Sequence, residues 1–251
     1  MKLVNKPIRV SDLVVKFFEE KNIETAFTVS GGGSIFLCDA LYKSRKIKYV
    51  ACHHEQAVAF AAEGYARASN KIGAAVVTTG PGGTNAITGV SSCWIDSIPV
   101  MFISGQVYSG QTIRDSKLRQ LGVQEINIID LVRPNTKYAV TISTPEDIRY
   151  ELEKMLYYAK EGRPGPVLMD LPDDLQRAEI NPKKLKKFIP PKNKQIKINF
   201  EKKFFSLIDK SKKPLIVLGH GVNLSKTKKQ VKQFIKKTGI PFLPSWATID
   251  L

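Results

Sequence analysis

The chain of 251 residues has few cysteines and few histidines, three of each. Cys38, Cys52 and Cys93 are too few and too widely separated for a zinc motif, and an odd number does not suit a disulfide framework. His53 and His54 are adjacent, so their side chains point in different directions, which does not suit a shared metal ion. We therefore predict small buried cysteines and no metal-binding residue.

Long hydrophobic runs are also missing. No uninterrupted apolar stretch approaches the length that is needed to cross a bilayer. The first residues, MKLVNKPIRVSDLVVKFF, are interrupted by Asp12 and Lys16 before a signal-like apolar core can form. These absences predict a cytoplasmic protein with no membrane partner.

Two common functional motifs are incomplete or absent. The chain has no Gly-x-Ser-x-Gly nucleophile elbow, and TTGPGGTN lacks the Lys-Ser/Thr pair of a P-loop.

Basic residues exceed acidic ones, with a formal net charge of +16. However, the densest basic stretch, NPKKLKKFIPPKNKQIKINFEKK, lacks the aromatic interleaving of nucleic-acid-binding segments and contains prolines typical of a connector. We predict no nucleic-acid partner.

Short apolar runs alternate with segments of helical periodicity over the first 171 residues. Because these runs are continuously apolar, the strands should lie in a mainly parallel sheet that is covered on both faces. The predicted fold class is α/β, a doubly wound, mainly parallel sheet with helices on both faces. The predicted strands lie in TAFTVS, IKYVAC, GAAVVTT, IPVMFISG, KYAVTI and GPVLMDLP.

A second α/β unit begins after the basic stretch. The segment KKPLIVLGHGVNLSKTKKQVKQFIKKTGIPFLPS has the pattern strand, Gly-x-Gly turn, helix and strand. One such unit cannot cover both faces of a sheet. We therefore predict a first domain at residues 1–172, a Lys-rich linker at 173–199 and the start of a second, central domain at 200–251, which is incomplete.

Three junctions of the first domain carry glycines or charges, at residues 30–33, 53–55 and 80–85. All should lie at the carboxyl ends of strands, where ligands bind in doubly wound sheets. Glu55 begins the alanine-rich helix, and desolvation there would raise the pKa of its carboxyl and let it hold or share a proton near neutral pH. The alternative is a carboxylate that only stabilises the helix dipole. For Glu63, two turns further on, we predict a packing or surface role.

Together these segments resemble the amino-terminal part of the thiamine diphosphate-dependent enzymes, and most closely the large subunits of acetolactate synthases. The matching segments cover nearly the whole chain in the family's order. They are FTVSGGG, HHEQAVAFAAEGYARAS, GAAVVTTGPGGTNAITGV, DSIPVMFISGQV, VQEINIIDLVRPNTKYA, EGRPGPVLMDLPDDLQ and KPLIVLGHGV.

The resemblance implies a transferase that decarboxylates a 2-keto acid such as pyruvate and adds the product to a second carbonyl. Glu55 matches the family's glutamate that hydrogen-bonds N1′ of the cofactor's aminopyrimidine and so promotes loss of the C2 proton. A homodimer or tetramer is implied, with residues 29–32 approaching the reacting centre from the opposite side of a dimer. The implied cofactor-binding residues are Val29, Ser30, Gly31, Gly32, Gly80, Pro81, Gly82 and Asn85; those on the substrate side are Gln106 and Gln124; and those near FAD, which only some members bind, are Arg163, Gly219, Gly221 and Val222.

The chain departs from the family near the substrate. Val29 and Ser30 stand where the family usually has Tyr-Pro, and Val123 stands where it has Phe. The segment YSGQTIRDSKLRQLG also differs from the biosynthetic synthases. The acceptor therefore stays open, and a related carboligase that acts on a keto-sugar is an alternative.

The family's Gly-Asp-Gly segment, which binds the diphosphate through Mg²⁺ from a third domain, occurs nowhere in the chain. We therefore expect this chain to be inactive by itself. A catalytically silent fragment is the second alternative.

Overall fold

The computed structural model describes residues 6–113, 116–192 and 200–250. It divides into two compact units, Met1–Pro190 and Pro191–Leu251. Within the described residues, no helix has both the length and the apolar character that are needed to cross a bilayer.

The part of the first unit that the structure describes contains eight strands, six of which form a parallel sheet. The strands are β1 (Ile8–Arg9), β2 (Thr25–Thr28), β3 (Lys48–Ala51), β4 (Gly73–Val77), β5 (Val100–Gln106), β6 (Tyr138–Thr141), β7 (Val167–Pro172) and β8 (Glu179–Ile180). The order in the parallel sheet is β3-β2-β4-β5-β7-β6, and β1 and β8 form a separate antiparallel pair. The helices are α1 (Val10–Glu20), α2 (Ile35–Lys43), α3 (Glu55–Ser69), α4 (Pro81–Asp96), α5 (Ile128–Val132), α6 (Ile148–Lys160) and α7 (Asp173–Arg177).

Both faces of the sheet are covered by helices, which confirms the predicted doubly wound α/β class. Along β4, Ala74 and Val76 pack with α1, α2, α6 and α7, whereas Ala75 and Val77 pack with α3, α4 and α5. This alternation follows from the period of two along a strand. It explains why β4, β5 and β7 are buried at every position.

The direction of winding changes between β2 and β4. The chain runs from β2 outward to β3, returns to β4 on the other side of β2, and then continues to β5. Adjacent strands whose connections leave in opposite directions open a crevice at their carboxyl ends. The segments that follow β2 and β4 therefore border this crevice.

Residues 173–190 lie in the first unit, although the sequence analysis assigns them to the connector. Within α7, Leu175 and Gln176 are buried. β8 pairs with β1, with Ile180 opposite Ile8. These contacts attach the start of the basic stretch to the first unit.

The second unit contains a parallel pair of strands, as its sequence pattern predicts. β9 (Ile216–Leu218) pairs with β10 (Phe242–Pro244), and the helices are α8 (Glu201–Lys210), α9 (Gly221–Leu224) and α10 (Lys228–Thr238). The predicted glycine turn leads from β9 into α9. Of the three cysteines, Cys93 is buried as predicted, whereas Cys38 and Cys52 are half-buried.

Helices α3 and α4 are in close contact at Gly89. A Cβ atom on Gly89 would lie 2.3 Å from the Cβ of Ala59, which is fully buried. At this distance one of the two backbones must move. The packing of α3 on α4 therefore depends on the missing side chain of Gly89.

We predict that Gly89→Ala destabilises the first unit by about 1–3 kcal/mol, because overpacking outweighs the gain in helix propensity. The matched control is Gly64→Ala on α3, where a Cβ meets nothing within 4 Å. This change should stabilise the unit by up to about 1 kcal/mol. Urea unfolding of the two variants measures the difference, and equal effects would contradict the contact.

Candidate active site

Glu55 is the first residue of α3 and lies half-buried at the carboxyl edge of the sheet. Asn85 of α4 donates from Nδ2 to its Oε2 at 3.0 Å. Among the described residues, no group donates to the other carboxyl oxygen, Oε1. The packing of α3 on α4 thus holds one oxygen of the carboxyl and leaves the other available.

Gly82 lies beside this carboxyl. A Cβ on Gly82 would lie 3.3 Å from Oε1 of Glu55 and 2.5 Å from Cγ2 of Thr78. The backbone can come this near only because Gly82 has no side chain. The first turn of α4 therefore borders the free oxygen of Glu55.

Thr78 joins the two glycine turns. Its Oγ1 accepts a hydrogen bond from the backbone N–H of Gly33 at 3.1 Å, and a Cβ on Gly31 would lie 2.6 Å from its side chain. Gly82 contacts the same threonine from the other turn. The two turns thus meet at the crevice between β2 and β4. Thr78 could not be recognised from the sequence, since nothing in VVTTG distinguishes a bridging threonine from one that faces solvent.

Gly80 brings Gln124 to the same edge. Gly80 has a φ of +57°, and a Cβ there would lie 2.1 Å from the carbonyl oxygen of Gln124. Gln124 itself has a φ of +60°. The left-handed conformation and the backbone contact leave no room for a side chain at residue 80. The structure therefore brings the predicted residues Gly80 and Gln124 together.

Four further predicted residues lie on the two turns. Val29 is half-buried, whereas Ser30, Gly32 and Pro81 are exposed. A Cβ on Gly32 would meet nothing within 4 Å, so there is open space beside this residue. The turns are tightly packed toward Thr78 and open toward solvent.

Gln106 ends β5, and its side chain points into the protein. Its Nε2 donates to the carbonyl of Ile126 at 3.1 Å and to Oδ2 of Asp170 at 3.0 Å. Its Oε1 accepts from the hydroxyl of Thr79 at 2.6 Å and from the backbone N–H of Val107 at 2.9 Å. These four bonds use every donor and acceptor of the amide. Gln106 therefore fixes the surrounding segments and has no free group for a substrate.

Gln176 has a comparable task at the other turn. It is fully buried, and its Nε2 donates to the carbonyls of Gly33 at 2.6 Å and Leu171 at 2.8 Å. This ties the first glycine turn to the end of β7. Sequence reasoning missed Gln176 because it placed residues 173–199 in a linker.

The paired histidines and Glu63 have supporting positions. His54 caps α3, since its Nδ1 accepts the backbone N–H of Gln56 at 3.1 Å, and His53 is exposed. Glu63 is buried and accepts hydrogen bonds from Ser92 of α4 at 3.1 Å and from Arg67. This is the packing role that was predicted for Glu63. Within the described residues there is no cluster of three or more His, Cys, Asp or Glu side chains that could hold a metal ion.

The residues assigned to FAD lie in different units. Arg163 is exposed in the first unit, and its Nε donates to Oγ of Ser97 at 2.5 Å. In the second unit, Cβ atoms on Gly219 and Gly221 would meet nothing within 4 Å. Both ring nitrogens of His220, between these glycines, are buried without a hydrogen-bond partner among the described residues.

Asp170 is a buried carboxyl that the sequence analysis did not consider. It lies in β7, next to Ser104 of β5 and Thr141 of β6. Burial raises the pKa of Asp170 from 3.8 to about 7, although the hydrogen bond from Gln106 acts in the opposite direction. An aspartate within the apolar run VLMDLP was the available signal, since a carboxyl on a doubly covered strand must be buried.

We predict that Asp170 makes stability depend on pH. Because its folded pKa lies above its unfolded value, the folded state binds the proton more tightly, and the free energy of unfolding falls as the pH rises from about 4 to about 7. The slope is at most about 1.4 kcal/mol per pH unit. Asp170→Asn removes this slope, which urea unfolding between pH 4 and pH 8 measures.

The matched control is Asp209→Asn, at an exposed aspartate of α8, which should leave the slope unchanged. Parallel pH profiles for the wild type and Asp170→Asn would contradict the assignment.

Two family descriptions match this chain. Residues 8–131 match the family described as "Thiamine pyrophosphate enzyme, N-terminal TPP binding domain", and residues 202–251 match "Thiamine pyrophosphate enzyme, central domain". Together the two matches cover more than half of the chain.

Similar curated proteins are named acetolactate synthase. The large subunit from Lactococcus lactis subsp. lactis is 35% identical over 95% of this chain and 41% of its own length. That from Corynebacterium glutamicum is 34% identical over 91% of this chain and 36% of its own length. The chloroplastic enzyme from Arabidopsis thaliana is 34% identical over 94% of this chain and 35% of its own length. The chain thus spans about two fifths of the length of these relatives.

The glycine turns that meet beside Glu55 lie within the matched amino-terminal domain, and the matched central domain lies within the second unit; this chain belongs to the thiamine pyrophosphate enzyme family.

Proposed function

We propose that the crevice beside Glu55 binds the aminopyrimidine of thiamine diphosphate, and that the complete gene product is a transferase similar to acetolactate synthase. The observation that carries this proposal is the hydrogen bond from Asn85 to Oε2 of Glu55, beside Gly82. It leaves Oε1 of a half-buried carboxyl available at the edge of an open crevice.

The residues present fit such a group. A flat ring needs backbone that can approach it closely, and glycines occupy both turns. The space beside Gly32 is open on the solvent side of the turn. The residues that would hold the cofactor are Val29, Ser30, Gly31, Gly32, Gly80, Pro81, Gly82 and Asn85. In the dimer that the family relationship implies, residues 29–32 would approach the reacting centre from the opposite side.

In this proposal Glu55 holds or releases a proton at Oε1, toward a ring nitrogen of the cofactor. Asn85 orients the carboxyl by donating to Oε2. Buried Gly82 and half-buried Thr78 limit the access of water from the protein side. When bound, thiamine diphosphate supplies a carbon nucleophile and an electron sink for the decarboxylation of a 2-keto acid.

The names of the relatives support pyruvate as the 2-keto acid and a second 2-keto acid as the acceptor. One feature favours a larger acceptor, such as a keto-sugar. Ser30 and Val123 are exposed. Ser30 stands where the family usually has proline and Val123 where it has phenylalanine, so each side chain is smaller than its counterpart in the family. Small exposed side chains at these positions leave more space at the opening of the site.

The oligomeric state, the location and a second cofactor are proposed from the family relationship. They are a homodimer or tetramer, a cytoplasmic location and FAD, for which Arg163 of the first unit and, separately, Gly219, Gly221 and Val222 of the second unit are the candidate residues. The open backbone at the two glycines and the unpartnered ring of His220 support the last of these. The described residues provide no cluster for Mg²⁺, so no step of the proposal uses that ion.

We predict that Glu55→Gln slows carboligation by the complete gene product by about 10²–10⁴-fold, the usual contribution of a positioned acid or base. The amide keeps an acceptor for Asn85 but cannot exchange a proton with the cofactor. Exchange of the cofactor's C2 proton, followed by NMR, and product formation from pyruvate measure the effect.

The matched control is Glu201→Gln, because Glu201 begins α8 as Glu55 begins α3. It should change neither rate. If Glu55→Gln retains wild-type exchange and turnover, Glu55 only stabilises its helix and the catalytic proposal is wrong.

A separate prediction concerns the acceptor. The complete gene product with pyruvate alone should form acetolactate if a 2-keto acid is the acceptor. If the alternative holds, acetolactate should be minor, and a longer branched product should form when a keto-sugar is added. Mass spectrometry of the products distinguishes the two, and the absence of any carboligation product would contradict both.

A further inference from the structure

Asp170, Gln106 and Thr79 form a buried chain of hydrogen bonds. Oδ2 of Asp170 accepts from Nε2 of Gln106 at 3.0 Å, and Oε1 of Gln106 accepts from the hydroxyl of Thr79 at 2.6 Å. All three residues are at most 6% exposed. These hydrogen bonds therefore lead from β7 through β5 to Thr79, the residue that precedes Gly80.

The orientation of the Gln106 amide is fixed by its surroundings. Two acceptors, Asp170 and the carbonyl of Ile126, face its nitrogen, and two donors, Thr79 and the N–H of Val107, face its oxygen. A flipped amide would place like groups together at the carbonyl of Ile126 and at the N–H of Val107, whose roles as acceptor and donor are fixed. Asp170 accepts from the same nitrogen and so adds a third contact that holds Gln106 with its oxygen toward Thr79.

Thr79 is adjacent to the Gly80 turn, whose backbone has little room to move. Gly80 has a positive φ and lies against the carbonyl of Gln124, and Gly82 lies beside Glu55. A small displacement of Thr79 would move the backbone of Gly80 relative to both neighbours. The hydrogen bond from Thr79 to Gln106 is therefore placed to set the position of this turn.

Asp170 also lowers the stability of the fold. It is buried in a central region of the sheet, its Oδ1 has no hydrogen-bond partner among the described residues, and its ionisation is opposed by burial. An apolar residue of the same size would satisfy the packing of β7 without these costs. Only a polar residue can accept the hydrogen bond from Gln106 and interact with the hydroxyls of Ser104 and Thr141, and the contact with Gln106 is the strongest of the three.

We propose that Asp170 is a positioning residue, which acts through Gln106 and Thr79 to hold the Gly80 turn in the conformation that receives the cofactor. This rests on the proposed function only for the identity of the ligand. Asp170 touches neither the crevice nor Glu55 directly.

The test compares four single variants and one double variant of the complete gene product. Asp170→Leu keeps the branched shape of the side chain and removes the acceptor, and Thr79→Val keeps the shape and removes the donor. Asp170→Asn retains an acceptor for Gln106 and serves as the conservative rescue. Thr136→Val, which removes a buried hydroxyl whose hydrogen bond to Val132 is remote from the chain, is the matched control.

The first measurement needs no cofactor. Hydrogen–deuterium exchange of a peptide spanning residues 78–84 should be about tenfold faster in Asp170→Leu and Thr79→Val, since a lost hydrogen bond lowers the cost of local opening. Asp170→Asn and Thr136→Val should match the wild type in this peptide. If Asp170→Leu does not fold, Thr79→Val tests the proposal by itself, because it replaces only a hydroxyl by a methyl group.

The second measurement is the affinity for thiamine diphosphate with Mg²⁺, by titration calorimetry. Each of Asp170→Leu and Thr79→Val should weaken binding about tenfold, and the double variant should also lose about tenfold, since both changes break one chain. A double variant that loses about a hundredfold would overturn the proposal, because the two residues would act independently.

The two measurements distinguish failure of the positioning role from failure of the proposed function. Unchanged exchange in both Asp170→Leu and Thr79→Val overturns the positioning role even if the cofactor binds. Faster exchange throughout the protein in all variants, Thr136→Val included, also overturns it, since that is general destabilisation. If the wild type binds no thiamine diphosphate but the exchange results are as expected, the proposed function fails and the role of Asp170 in holding the turn stands.

Discussion

The arrangement of the site depends on one close contact, the meeting of two glycine turns at Thr78. Gly31 and Gly33 approach this threonine from the turn after β2, and Gly82 approaches it from the turn after β4. Parallel strands that wind in opposite directions create the crevice, but only residues without side chains let the two backbones close around it. Glu55 gains its place at the opening because α3 packs on α4, whose first turn contains Gly82.

Much of the fold could be predicted from the sequence, because it rests on local patterns. The six strands of the main sheet are apolar runs between turn residues, and the glycines of SGGG and TGPGG marked both turns of the crevice. The contacts across the sheet could not be predicted in this way. Thr78 and Gln176 act on residues 45 and 143 positions away, and neither has a periodic signal. The basic composition after residue 172 concealed α7 and β8, since composition describes solvent exposure on average and does not report a buried glutamine.

The two interpretations of Glu55 are both compatible with its position at the start of α3. A carboxylate there stabilises the helix whether or not it takes part in catalysis. The hydrogen bond from Asn85 favours the catalytic interpretation, because stabilising the helix needs no partner on a second helix and no free oxygen that faces a crevice. The geometry identifies an oriented carboxyl, whereas only the family relationship indicates which proton it would control.

The sheet and the site make opposite demands at the end of β7. The sheet would be more stable with an apolar residue at position 170, since both faces are covered there. The Gly80 turn, in contrast, needs an acceptor that orients Gln106, and β7 is the strand beside β5 that can provide it. A residue whose burial lowers stability, yet whose hydrogen bond from Gln106 leads toward the crevice, is expected where function limits the optimisation of a core. In this fold, therefore, the polar residues of the central strands indicate how the site is held together, and the turns indicate where it lies.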